Sequence, residues 1–314
     1  MRGIYFDGRA AAYREDLPMP KPTPTQSLIR ILYAGVCNTD REILKGYRPD
    51  FQGIMGHEFV GVVEASSDPF WIGKPVVGEL NAGCGHCVYC RTGREKHCPE
   101  RKVIGMDGKD GCFGEYMTLE THLLHFVPEG LPMTEALLTE PLAAALEIPK
   151  QVHVDPETRV AILGDGRLAY LIASVLRLTG AELTVIGKHP EKLQRFEPFG
   201  RTVLQTADTF PVVVEATGSP SGLALANKLV ERQGTIVLKS TYAGKIQADM
   251  SFYAVNEITL KGSRCGPFAP ALRLLAQGLV KLPPVELYDL ADFQAAFTSP
   301  AFKAGFSISR PYTE

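Results

Sequence analysis

Cys37, His57 and Glu58 are side chains that can each donate a lone pair to a metal ion, and the run CGHCVYCRTGREKHC adds Cys84, Cys87, Cys90 and Cys98. The spacing C-x2-C-x2-C-x7-C gathers these last cysteines in one short loop, where four thiolates close a tetrahedral shell around Zn²⁺ and leave no position for substrate. That is a structural zinc site. A disulfide cluster is the competing reading, but nothing at Met1 reads as a signal peptide, and a total of 7 cysteines is odd. His86 and His97 are neighbours of a shell already filled by sulfur. Cys37 in GVCNTDREI and His57-Glu58 in MGHEFVG offer a different chemistry, because three ligands with a fourth position open are the pattern of a catalytic zinc. Taken singly, Cys37 also fits an inert buried thiol, and the His-Glu pair a hydrogen-bonded pair.

A second chemical signature begins at RVAIL, a β-branched run leading into Gly164-Asp165-Gly166-Arg167-Leu168-Ala169. In this G-x-G-x-x-A turn the first glycine permits the tight bend and the second lets the backbone approach a pyrophosphate. A small third residue lets helix and strand pack closely. A phosphate there would meet the free N–H groups and positive dipole end of the following helix. The end of the next strand decides which dinucleotide binds: an acid favours NAD, and a small residue followed by basic ones favours NADP. Gly187, Lys188 and His189 stand there and favour NADP, with NAD as the alternative.

The elements that must position these groups fall into two textures. Up to Leu146 the chain is rich in Gly, Pro and short β-branched runs such as SLIRILYAGV and HEFVGVVEA, which read as strands joined by irregular loops. From Thr158, apolar strands alternate with helical patterns: RVAIL, a helix over 168–179, AELTVIG, a helix over 190–199, VVVEATG, a helix over 221–231, GTIVLKS and EITLKG. This is the pattern of a parallel sheet with crossover helices. After Pro283-Pro284 the alternation is lost, and the tail is expected to return to the first domain. The expected domains are therefore 1–146 with 283–314, and 147–282.

Composition agrees with an ordinary globular protein: 314 residues, 45% hydrophobic and 22% charged, enough for two cores. A net charge of -2 gives no electrostatic footprint for nucleic acid or an anionic membrane. No apolar stretch approaches the length of a membrane span, and the cytoplasm is the expected compartment.

Together these residues resemble the zinc-dependent medium-chain dehydrogenase/reductase superfamily, which includes alcohol, polyol, glucose and threonine dehydrogenases. The resemblance runs through Cys37-Asn38-Thr39-Asp40, Gly56-His57-Glu58, the four-cysteine lobe, Glu140-Pro141-Leu142, the Gly164 turn and Glu215-Ala216-Thr217-Gly218. It implies an α/β architecture, a GroES-like, mainly β catalytic domain with an inserted Rossmann domain, the active site lying in the cleft between them. It further implies two zincs, Cys37 and His57 as catalytic ligands, and either Glu58 or Glu140 as a third. Thr39 matches the hydroxyl that takes the substrate proton, and Asp40 a buried support for the ligand loop. Ala216, Thr217 and Gly218 line the nicotinamide side; Arg264, in GSRCGPF, reads either as a contact to the cofactor from the last strand or as a surface arginine. The expected reaction is hydride transfer between an alcohol, polyol or sugar and NADP or NAD, in a homodimer or homotetramer.

The chain also departs from that pattern. Glu42 stands where many relatives carry a relay histidine, and QTADTFP replaces a helical connection of the cofactor domain. Glu115 matches a substrate-contact position in some sugar-oxidising relatives, but a structural carboxylate holding a loop is the preferred reading. Phe70, Trp71, Cys112 and Cys265 read as packing residues. Two other classes are compatible with parts of the sequence: a zinc-free quinone or enoyl reductase on the same fold, and a non-enzymatic zinc module that binds a partner.

Overall fold

Strands buried on both faces need uninterrupted apolar runs, whereas strands with one wet face alternate, and the chain uses both patterns. The computed structural model describes residues 1–241 and 246–309. Two units emerge, Met1–Glu140 with Phe268–Glu314, and Pro141–Pro267. These divisions fall at 140/141 and 267/268 rather than at 146/147 and 282/283. The helix Phe268–Ala276 belongs with the first unit, where Phe268 stacks on His125 with ring centroids 5.5 Å apart. Within the tail expected to return to that unit, 310–314 lie outside the described residues.

In the first unit the main sheet runs Leu124–Phe126, Pro75–Gly78, Glu58–Ser66, Gln26–Gly35, Lys303–Ser307 and Val285–Tyr288, with Tyr116–Glu120 also paired to Gln26–Gly35. Gln26–Gly35 is antiparallel to all three of its partners, pairing Gly35 with Glu58 on one side and with Gly305 on the other. Lys303–Ser307 is thus an internal strand. Its Phe306 is fully buried, paired across the sheet with Ala34 and edge-on to Phe113 at 5.0 Å between centroids.

The second unit is a six-stranded, all-parallel sheet in the order Arg201–Val203, Glu182–Ile186, Arg159–Leu163, Phe210–Glu215, Val230–Leu238, Thr259–Gly262. In chain order this is 3-2-1-4-5-6, the doubly wound Rossmann arrangement, whose ligand crevice opens where the order reverses. Val160, Ala161, Ile162 and Leu163 are wholly buried, as a central parallel strand requires. The helix Arg167–Arg177 buries Ala169, Leu171, Ile172, Ala173, Val175 and Leu176. Strand follows strand from Val203 to Phe210 with no helix among the described residues, as the shortened QTADTFP segment suggests. No helix among the described residues is long and apolar enough to cross a membrane.

Phe306→Ala should cost about 3–5 kcal/mol if the C-terminal strand is integral to the core. Urea unfolding measures this, and a loss under about 0.5 kcal/mol would mean a peripheral tail.

Candidate active site and metal centres

Cys37 follows the end of Gln26–Gly35 and occupies the N-cap of the helix Asn38–Leu44. Its N–H donates to Asp40 Oδ2 at 2.8 Å, so the side chain three residues on fixes the turn that carries the thiol. His57 and Glu58 stand where the chain enters Glu58–Ser66, and both are buried. The candidate ligand atoms of Cys37, His57 and Glu58 all lie within 4.8 Å of one another. Glu140, second residue of the helix Thr139–Gln151, is not part of that group. Thr39 Oγ1 lies 3.8 Å from Cys37 Sγ.

The surroundings suit a cation. Asp40, fully buried, presents Oδ1 to His57 Nδ1 at 3.3 Å, but without the alignment of a proper hydrogen bond. Burial by itself would lower the His57 pKa, yet the facing Asp40 carboxylate and Cys37 thiol carry it well above its ordinary value. With Nδ1 turned to Asp40, Nε2 is the ring nitrogen left for a ligand, as in the carboxylate-histidine pairs that orient metal-binding imidazoles. A soft thiol, an imidazole and a carboxylate form a donor set that fits zinc.

Lys303 also enters this site, and its sequence context, SPAFKAGFS, does not single it out. Its ammonium is buried against Glu58 Oε2 and donates to the Val36 carbonyl at 3.2 Å. Gly35 leaves room for the pair: a Cβ there would lie 2.7 Å from Glu58 Oε2 and 2.8 Å from Lys303 Cε.

The four cysteines of the lobe likewise fall within 4.8 Å of one another. Backbone N–H groups aim at their sulfurs, Cys84 at Cys98 Sγ and Cys87 at Cys84 Sγ, both at 3.4 Å. Such donors stabilise thiolates, and the backbone N–H of Cys90 lowers the Cys87 pKa to about 7. Four converging sulfurs with N–H support fit a closed zinc shell. The Gly83 N–H to Glu95 Oε1 bond at 2.7 Å and the His122 Nε2 to Glu95 Oε2 contact at 3.0 Å tie the lobe down.

In the second unit, Gly164 ends its strand at φ +119, and a Cβ there would lie 2.7 Å from the Ala216 carbonyl oxygen. The Gly164 turn is therefore packed against the Ala216-Thr217 turn. Glu215 is buried and accepts from Thr217 N–H at 2.9 Å and from Ser240 Oγ at 3.0 Å, while Gly218 N–H donates to Ser240 Oγ at 2.8 Å. Gly166, by contrast, faces open space, with nothing within 4 Å of a Cβ built there. A backbone open at the mouth of a helix suits a pyrophosphate.

The alcohol dehydrogenase GroES-like domain family matches residues 23–129. A sorbitol dehydrogenase of Bacillus subtilis is 26% identical over 293 residues, covering 85% of this chain and 83% of its own. Among solved structures, a protein of Sinorhizobium meliloti described as a zinc-binding dehydrogenase and bound to NADP superposes with a TM-score of 0.86 at 25% identity, covering 98% of both chains. The acetophenone reductase of Geotrichum candidum, in complex with NAD, shares the fold with a TM-score of 0.89 at 24% identity over 98% of this chain and 96% of its own. Residues 23–129 carry the alcohol dehydrogenase GroES-like domain, and the chain as a whole is similar to medium-chain alcohol and polyol dehydrogenases.

The chain combines a GroES-like domain with a Rossmann domain. Other predicted positions take more modest places. Glu42 is paired with Lys45 at 2.9 Å. Glu115 holds Arg2, accepting from its backbone N–H at 2.8 Å and its guanidinium at 2.7 Å, which favours the structural reading of that carboxylate. Arg264 is exposed, and its carbonyl accepts from Lys239 Nζ at 3.4 Å. Cys112 is buried, and its Sγ donates to the Glu58 carbonyl at 3.3 Å, whereas Cys265 is only half-buried. Trp71 stacks on Phe126 at 4.3 Å between centroids, but Phe70 is mostly exposed. Lys188 and His189 are exposed at the end of the second parallel strand, facing Asp165, a residue the sequence reading passes over.

Lys303→Met would strand the buried Glu58 charge, so the metal-free chain should lose about 3–5 kcal/mol by denaturant titration. Zinc should recover much of that loss by supplying another cation. An equal loss with and without zinc would separate Lys303 from the metal cluster.

Proposed function

We propose that the chain is a zinc-dependent dehydrogenase that transfers a hydride between a secondary alcohol, polyol or sugar and a nicotinamide dinucleotide. The cluster of Cys37, His57 and Glu58, with ligand atoms within 4.8 Å and backed by Asp40 and Lys303, carries this reading. The carboxylate ligand supports the polyol branch, as does the likeness to sorbitol dehydrogenase. Cys84, Cys87, Cys90 and Cys98 would hold a second, structural zinc. The family resemblance supports a cytoplasmic homodimer or homotetramer.

Cys37, His57 and Glu58 would hold a zinc ion, which when bound would supply Lewis acidity toward an alcohol or carbonyl oxygen. Thr39, beside Cys37, is placed to take the substrate proton and pass it on. Asp40 keeps the His57 ring oriented, and Lys303 offsets the Glu58 charge. Glu140, which is not part of that cluster, is the alternative carboxylate. The Gly164, Gly166, Arg167 and Leu168 turn would receive the cofactor pyrophosphate. Ala216, Thr217 and Gly218, with Arg264, would line the nicotinamide end. Gly187, with Lys188 and His189, supports NADP, as does the NADP held by the S. meliloti neighbour; Asp165 weighs toward NAD.

Metal analysis should find two zincs per chain. Cys37→Ser should abolish turnover on a panel of alcohols, polyols and aldoses and remove one zinc, with Tm little changed. Cys98→Ser should lose the other zinc and mainly lower Tm. Full activity in Cys37→Ser would overturn the reading.

A further inference from the structure

In a Rossmann fold the end of the second strand meets the adenosine ribose, and an acid there favours the free 2′-hydroxyl of NAD. In this chain the strand Glu182–Ile186 runs into Gly187-Lys188-His189 and brings no acid of its own. A carboxylate arrives from another direction. Asp165, between the two glycines of the phosphate turn, reaches across from the end of Arg159–Leu163. Its Oδ2 accepts the Lys188 N–H at 2.8 Å, the His189 N–H at 2.9 Å and His189 Nδ1 at 2.9 Å. Gly187 is the space it occupies, since a Cβ there would lie 2.8 Å from Asp165 Cβ, Asp165 Oδ2 and Leu193 Cδ2.

We propose that Asp165 sets cofactor choice in this enzyme and selects NAD over NADP. The proposal rests on the dinucleotide reading of the Gly164 turn and reverses what the residues after the second strand favour by themselves. A 2′-phosphate bound at that turn would draw on the N–H groups of residues 188 and 189 and on the His189 ring, and Asp165 already engages all three. It would also meet a negative charge. Partial burial opposes ionisation of Asp165, but the His189 and Lys188 donors hold its pKa below the ordinary carboxylate value. The repulsion between carboxylate and phosphate falls on NADP alone. NAD presents hydroxyls instead, which can donate to Oδ1, the oxygen that none of these three bonds uses. The acid at the ribose is thus supplied by the first strand's turn, and the glycine at the second strand accommodates it.

The test is equilibrium titration of the purified full-length, zinc-loaded enzyme with NADH and with NADPH, followed by nicotinamide fluorescence. The wild-type Kd for NADH should be at least about tenfold below that for NADPH. Asp165→Asn keeps the shape and an acceptor oxygen but removes the charge; it should narrow the ratio by about tenfold, chiefly by tightening NADPH. Equal or tighter NADPH binding by the wild type would overturn the proposal, as would an unchanged ratio in an Asp165→Asn chain whose circular dichroism shows it folded. If that variant does not fold, the wild-type ratio decides. Preference-free binding defeats this proposal alone, whereas binding of neither nucleotide defeats the dinucleotide reading with it.

Discussion

The strand Gln26–Gly35 lies between Glu58–Ser66 and Lys303–Ser307, and the register of both pairings converges on Gly35, which faces Glu58 on one side and Gly305 on the other. Cys37 follows two positions later, so three segments far apart in the chain present a thiol, a carboxylate and an ammonium in one place. Side chains alternate faces along a strand, and a one-residue slip in either pairing would turn Glu58 or Lys303 to the opposite face. The geometry of the Cys37, His57 and Glu58 cluster is therefore a property of sheet register. The lack of a side chain at Gly35 is what lets the acid and base meet across it.

The two cysteine-bearing centres are built on different principles. The four-cysteine lobe is nearly self-contained: its ligands come from one loop, and its own backbone N–H groups support the sulfurs. The Cys37 cluster draws on the whole first unit and keeps four ionisable groups buried: Asp40 against His57, and Glu58 against Lys303. Each charge has a partner, which is the condition for burying charge without a large desolvation penalty.

Much of this was legible in the sequence because the decisive signals are local. The cysteine spacing, the strand leading into Gly164 and the apolar parallel strands each declare themselves within a few residues. The Cys37 cluster was legible only through its company, since neither Cys37 nor His57-Glu58 carries a distinctive spacing. Lys303 was not, because it lies 245 residues from Glu58 and a lysine between Phe and Ala in a tail reads as solvated surface. Asp165 was passed over for a similar reason: attention at that turn falls on the glycines, and the cross-strand reach of the residue between them is a matter of three dimensions. The short helices Met250–Val255 and Phe268–Ala276 escaped as well, the second carrying Pro270 near its start.

The placement of Lys303–Ser307 inside the first unit's sheet bears on how the chain is made. The second unit is continuous in sequence, from Pro141 to Pro267, and its strands and helices contact near neighbours. It can complete its sheet while the C-terminal segment is still in the ribosome. The first unit cannot: Gln26–Gly35 keeps part of an edge open, and Glu58 its uncompensated charge, until Lys303–Ser307 emerges. An unpaired edge in a nascent chain is a site for mispairing, and non-local pairing of this kind is slow. The Cys37, His57 and Glu58 cluster is therefore completed only after Lys303–Ser307 has been made, and losing that strand would leave Glu58 without its buried partner.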